Sequence, residues 1–377
     1  MVKQAIGQAV RPLAGLCNAS TAHPVRHFSS TPSLGLRAVF TETQNPNLNE
    51  VLTKIQEKII LPAHLPEKQR KMIFDPNMRN HIKQNPIIIE LDGLEHKFTF
   101  MNRFHDLPNS KKAFREVLDL MQTKEDWDNL AILLAGYKKA GIKLYKFHYA
   151  SMIRRAASRN QIHTIIECVK QSSKTGFNLS QDTHIIQLFL FVGKEKPETA
   201  VKWNDEILNL LQLSGQASEL NPIALGQVLF AQAANVQNKT ANQVEVTKET
   251  AQLKDSAQHL AQWWSRQLAE NESVPASIVK LAPQKESKES KKRKDTLNLS
   301  GIELIQAIAM NIKGMSLARE ILGDAAKDLE PVEQKLETHV REFVKETAEN
   351  GLYREVWATA YEEIMGKKPQ WNVPTKA

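Results

Sequence analysis

The chain has 377 residues, with 50 Lys and Arg against 42 Asp and Glu for a formal net charge of +8. That length allows two or three domains or one extended array, and 41% hydrophobic with 24% charged residues excludes a fibrous or wholly disordered chain. Two cysteines, Cys17 and Cys168, cannot build a disulfide framework, and no run of about 18 apolar residues is present to span a bilayer.

Residues 1–40 contain no acid; the first is Glu42. They carry Lys3, Arg11, Arg26 and Arg37 among Ala, Ser, Thr and Leu, the composition of a mitochondrial transit peptide. A positive amphipathic segment of this kind is drawn along a membrane potential that is negative inside. Arg26-His27-Phe28-Ser29 resembles the Arg-x-Phe-Ser patterns cut by matrix processing peptidases. The expected location is therefore the mitochondrial matrix. Removing the segment takes four bases and no acids, so 46 bases face 42 acids and the net charge falls to +4. Net charge alone is then a poor argument for nucleic acid.

Residues 41–110 read as an N-terminal extension. Leu48, Val51, Leu52, Ile55 and Ile59 recur at helical spacing. Pro62, Pro66 and Pro76 then read as a looped connector. Within 87–100, Ile87–Leu91 and Glu95–Phe100 flank Asp92-Gly93, which predicts a β-hairpin whose two turn residues have φ > 0. A lone hairpin is marginal, so it must pack on something.

From 111 to 236 the pattern is helical and repetitive. A first helix is expected over 111–122, with Phe114, Val117, Leu118 and Met121 on one face. A second is expected over 125–139, with Trp127, Leu130, Leu133, Leu134 and Tyr137, closing at Gly141. An offset of 35 carries Phe114 onto Tyr149, Val117 onto Met152, Leu133 onto Cys168, and Lys139-Ala140-Gly141 onto Lys174-Thr175-Gly176. A third unit runs from His184 to Ser214-Gly215, about four residues longer around Gly193–Pro197. Pro222 to Val236 reads as the first helix of a fourth. Paired-helix units of this length cannot bury their apolar faces alone and must stack.

The period, the aromatic opening the first helix and the Lys-x-Gly close resemble the pentatricopeptide-repeat family, in a degenerate form as in fungal-type mitoribosomal or mitochondrial RNA-associated proteins. The resemblance covers about a third of the chain. It implies an all-α fold: a right-handed α-solenoid of ~35-residue helical hairpins, with the small β-hairpin before it and a C-terminal helical region after it. It also implies contact with single-stranded RNA, one base per unit, read by the residue after the helix-one aromatic and the last residue of the unit. The matching residues are Arg115 with Tyr145, and Ala150 with Ser180, with Ile185 opening the third unit. Ala and Ile cannot select a base by hydrogen bonding, so the family's base code is not carried over.

Residues 237–296 hold an amphipathic helix over 250–269, with Leu253, Ala257, Leu260 and Trp264 on one side, and then a solvated linker rich in Lys and Glu. Residues 297–377 are expected to be helical again. Pro331 stands near a helix start, Gly351 ends that helix, and an extended tail follows from Pro369.

No phosphate loop, Gly-rich dinucleotide motif, nucleophile elbow, His-Glu-x-x-His or Cys-x-x-Cys occurs. The chain reads as non-enzymatic, without cofactor or metal. Cys168 and the repeat histidines read as packing residues. What remains is charge. Across 138–174, Lys138, Lys139, Lys143, Lys146, Arg154, Arg155, Arg159, Lys170 and Lys174 face one acid, Glu167. With Arg115, Tyr145 and the run Lys291, Lys292, Arg293, Lys294, these form a candidate RNA-backbone surface. The expectation is a structural component of the mitochondrial ribosome that touches mitochondrial rRNA and neighbouring ribosomal proteins. The alternatives are an RNA-processing or translation factor on another mitochondrial RNA, or an RNA-free scaffold that assembles a respiratory complex.

Overall fold

The computed structural model describes residues 39–215, 220–270, 274–283, 298–347, 351–369 and 371. Nearly all of the expected transit peptide, the Lys291–Lys294 run and most of the C-terminal tail lie outside them.

The first helix, α1 (Pro46–Ile55), starts where Asn45 accepts hydrogen bonds from the backbone of Asn47 and Leu48. It buries Leu48, Leu52 and Ile55, continues as a π-helical turn (Gln56–Ile60) and ends as α2 (Leu61–His64). Pro62 has no N–H to give to the carbonyl four residues back, and the ladder widens just ahead of it. The stretch expected to be a looped connector is helical instead, as α3 (Glu67–Ile73) and α4 (Arg79–Gln84). Pro66 stands at the N-cap of α3, and Pro76 opens the 3₁₀ turn Pro76–Met78 that leads into α4. At those positions proline starts helices, since its missing N–H would have no partner anyway.

The hairpin forms as expected. Strands β1 (Ile87–Leu91) and β2 (Leu94–Phe98) pair antiparallel, Ile87 opposite Phe98 and Leu91 opposite Leu94. Asp92 (φ 50°) and Gly93 (φ 81°) make the tight turn. The face carrying Ile87, Ile89, Leu91, Leu94 and Phe98 packs on Leu61, Leu65, Ile73, Ile82 and Met101, a small core separate from the main one. That is how the hairpin docks.

The repeat segment folds as α5 (Ser110–Leu120) with α6 (Lys124–Lys139), α7 (Lys146–Ser158) with α8 (Ile162–Lys170) and the short α9 (Ser172–Thr175), and α10 (Asp182–Val192) with α11 (Pro197–Leu213). The units close at Gly141, Gly176 and Gly215, all left-handed at φ 71°, 74° and 75°. First helices pack on first helices, α5 on α7 and α7 on α10; second helices do likewise, α6 on α8 and α8 on α11.

The C-terminal half is organised around α15 (Gly301–Leu322), buried along most of its length. It packs most extensively on α12 (Pro222–Ala241), with α13 (Thr247–Glu270), α16 (Glu330–Thr347) and α17 (Gly351–Met365) around it; the short α14 (Ala276–Val279) precedes it. The approach of α12 to α15 is close enough to need glycine. A Cβ on Gly226 would lie 1.7 Å from the Asn311 carboxamide oxygen, and one on Gly314 would lie 2.8 Å from the backbone of Phe230. Asn311 ties the pair by donating to the carbonyls of Ile223 and Ala307, both at 2.9 Å. Gly351, expected to end a helix, instead begins α17. One apolar core runs from Leu48 to Ile364, so the repeats and the C-terminal helices share a single interior. Among the described residues no helix is long and apolar enough to cross a membrane.

Candidate nucleic-acid interface

The basic segment 138–174 begins at the C-terminus of α6, where cations offset the exposed carbonyls. Lys138, Lys139, Lys143 and Arg159 are exposed, and Tyr145 and Lys146 are half-buried. Between α6 and α7 the chain builds a small aromatic stack. Tyr145 lies over Phe147 with ring centroids 5.7 Å apart, and Phe147 over His148 at 4.0 Å. The Lys111 ammonium sits 3.5 Å from the centre of the Tyr145 ring. Phe147 keeps 43% of its surface exposed. His148 accepts the Tyr145 backbone N–H at 3.0 Å. Burial pushes its pKa down, and Lys111 and Arg115 push the same way, so the ring is neutral and accepts as a cap.

The structure divides the expected RNA-contact residues into two groups. Arg154 donates to Glu303 at 2.9 Å, Arg155 pairs with Asp119 at 2.6 Å and with Ser151, and Lys170 pairs with Glu167 at 2.7 Å and with Glu206. Their charge is matched inside the chain. Lys138 donates to the Ser173 carbonyl, a tie between successive units. Lys139, Lys143, Lys146, Arg159 and Lys174 have no ion pair among the described residues. Arg115 is exposed and, with Arg155, lines a groove of about 660 Å³ between α1 and α5 that also holds Glu50, Glu116 and Asp119. Mixed signs make that groove a poor cradle for phosphate.

Two of the base-reading positions of the repeat family are closed here. Ala150 and Ile185 are buried, while Ser180 is exposed. Cys168 is buried, and desolvation pushes its thiol up to about 12, which makes it inert. Among the described residues no group of His, Cys, Asp and Glu is placed to hold a metal.

One residue outside the sequence reading governs this face. Glu303, 5% exposed at its side chain, accepts from Arg154, from Gln187 at 2.8 Å, and from the Ser300 backbone and hydroxyl, both at 2.9 Å. It is the N3 member of the capping box that starts α15. The Ser300-x-x-Glu303 spacing was a legible signal for the cap, whereas its partners α7 and α10 arise only from the tertiary fold.

Comparison with known proteins bears on what this face serves. A family described as mitochondrial ribosomal protein mS27 matches residues 26–363. The Neurospora crassa protein named small ribosomal subunit protein mS27 is 31% identical over 182 residues, an alignment that covers 46% of this chain and 46% of that one. The matched region thus spans about half the length of that curated relative.

Proposed function

This chain belongs to the mitochondrial ribosomal protein mS27 family, and from that premise we propose that it is a structural, non-enzymatic protein of the small subunit of the mitochondrial ribosome. The observation that carries the reading is the extent of the family match, which takes in the hairpin module, the repeats and the C-terminal helices together. The proposed location is the mitochondrial matrix, reached by the acid-free segment 1–40, and the proposed partners are rRNA and neighbouring ribosomal proteins.

The repeats are proposed to act as a short right-handed solenoid of the pentatricopeptide-like kind that holds RNA by its backbone. Buried Ala150 and Ile185, and cations at Lys139, Lys143, Lys146, Arg159 and Lys174 that have no ion pair among the described residues, support that mode over sequence-specific reading. An RNA-processing factor would need side chains able to select bases, and buried Ala150 and Ile185 offer none.

The test is affinity purification of the tagged chain from mitochondrial lysate. Recovery of the complete set of small-subunit proteins with the small rRNA, in constant ratio, is the expected result. Recovery of one messenger RNA, or of respiratory-complex subunits that RNase treatment leaves bound, would overturn the proposal.

A further inference from the structure

The hairpin module carries a surface that the repeat array does not account for. Across 67–84, which hold α3 and α4, Lys68, Arg70, Lys71, Arg79 and Lys83 stand against Glu67 and Asp75, and Lys71 pairs with Glu67 at 2.7 Å. The loop after β2 returns to α3, with the Met101 N–H on the Ile73 carbonyl at 2.8 Å, and then turns at 103–106. That turn is stapled. Asn102 accepts the Phe104 N–H at 2.9 Å, and Asp106 accepts the Asn102 N–H at 2.7 Å. The result is a phenylalanine held out of the fold with 91% of its surface in solvent. In the same module, the guanidinium of Arg103, the residue before Phe104, lies over the Phe74 ring at 4.9 Å, and the Arg79 guanidinium lies over the Phe100 ring at 5.8 Å.

We propose that this tip is a docking platform for single-stranded RNA, with Phe104 stacking on a base and Arg79 and Arg103 holding the flanking phosphates. An arginine lying over an aromatic ring keeps its N–H edge free for phosphate oxygens while losing little freedom on binding. Neither arginine has an ion pair among the described residues. The two nearby carboxylates are taken up by backbone amides, Asp75 by the Asn77 N–H at 2.9 Å and Asp106 by Asn102. Glu90 and Glu95 pair three residues from the Phe98 end of the strands, roughly 10 Å away, and Asp92 lies in the turn, roughly 15 Å away. A solvated phenylalanine that follows a ring-stacked arginine in the chain fits an unpaired base and its phosphate better than an acidic peptide, which would use the cations and leave the ring bare.

The inference rests on the chain being a ribosomal small-subunit protein, and its test is separable from that reading. The purified full-length chain is titrated into a fluorescein-labelled 12-nucleotide oligouridylate and followed by anisotropy. Phe104→Ala is expected to weaken binding about tenfold, and Phe104→Trp to restore it. Arg79→Gln with Arg103→Gln is expected to reduce the log–log salt slope by about 1.4. Phe104 touches no core, so Phe104→Ala should melt with the wild type. Unchanged affinity in Phe104→Ala, or a glutamate-rich peptide that binds more tightly than the oligonucleotide and displaces it, would overturn the platform. Cosedimentation of the wild-type chain with the small subunit is scored separately, so the platform can fail while the ribosomal reading stands.

Discussion

Glu303→Ala is the substitution that most directly tests how the repeats are joined to the C-terminal helices. The carboxylate is nearly sealed from solvent and accepts four hydrogen bonds from three residues on three separate segments. Its loss removes half of the α15 capping box, a change of about 1 kcal/mol. It leaves the fully buried Gln187 amide without an acceptor, a further 1–3 kcal/mol or about 2. Arg154 is 41% exposed at its side chain and rehydrates, so its contribution is small. The expected destabilisation is about 3 kcal/mol, the cap and the orphaned amide together. Arg154→Ala should cost about 1 kcal/mol, since the carboxylate keeps its other donors. The assay is equilibrium urea unfolding of both single variants and the double variant. An Arg154→Ala cost above that of Glu303→Ala, or a Glu303→Ala chain as stable as wild type, would refute the clasp. The same logic says that reversing Arg154 and Arg155 together disturbs the fold before it reports on RNA.

Gly226→Ala and Gly314→Ala should each destabilise by about 1–3 kcal/mol through overpacking of α12 on α15. Gly314→Ala is expected to be the worse, because its new methyl meets backbone while the other meets a side chain; equal melting temperatures for all three chains would contradict this. His184 is buried, its Nε2 is 2.9 Å from the Lys146 carbonyl, and burial pushes its pKa down to about 4. Its folded pKa lies below the unfolded value, so its contribution is intact above about pH 6.5 and is lost as the pH falls toward 4. Unfolding between pH 7 and 5 should show a falling stability that His184→Gln flattens; parallel curves would count against it. Asn129, fully buried, receives the Thr41 N–H at 2.8 Å and donates to the Thr41 carbonyl at 3.0 Å. Asn129→Ala should speed limited proteolysis near residues 39–45, with unchanged cleavage elsewhere.

The repeat helices, the left-handed glycines and the hairpin were legible because each is written locally: apolar spacing, Gly after a helix, Asp-Gly between β-prone runs. The helices α3 and α4 were hidden because proline signals either a break or a start, and only position relative to the helix decides. The charge of 138–174 was legible as composition, but its distribution was not. Asp119 and Glu206 lie outside that window, and Glu303 is 149 residues from Arg154. Long-range pairing of that kind leaves no trace in local sequence. The tip at Phe104 escaped for a similar reason, since an isolated phenylalanine reads as core until its exposure is known.

The measurement that bears most directly on the central claim is sedimentation of mitochondrial lysate through a sucrose gradient at raised salt, with and without RNase, with detection of this chain across the fractions. A small-subunit protein is expected to migrate entirely with the small subunit, to stay there at raised salt, and to leave that position when the rRNA is digested. A chain that remains at the top of the gradient, or in a complex unchanged by RNase, would contradict the ribosomal assignment and make the cations of α6 and α7 a protein-docking face.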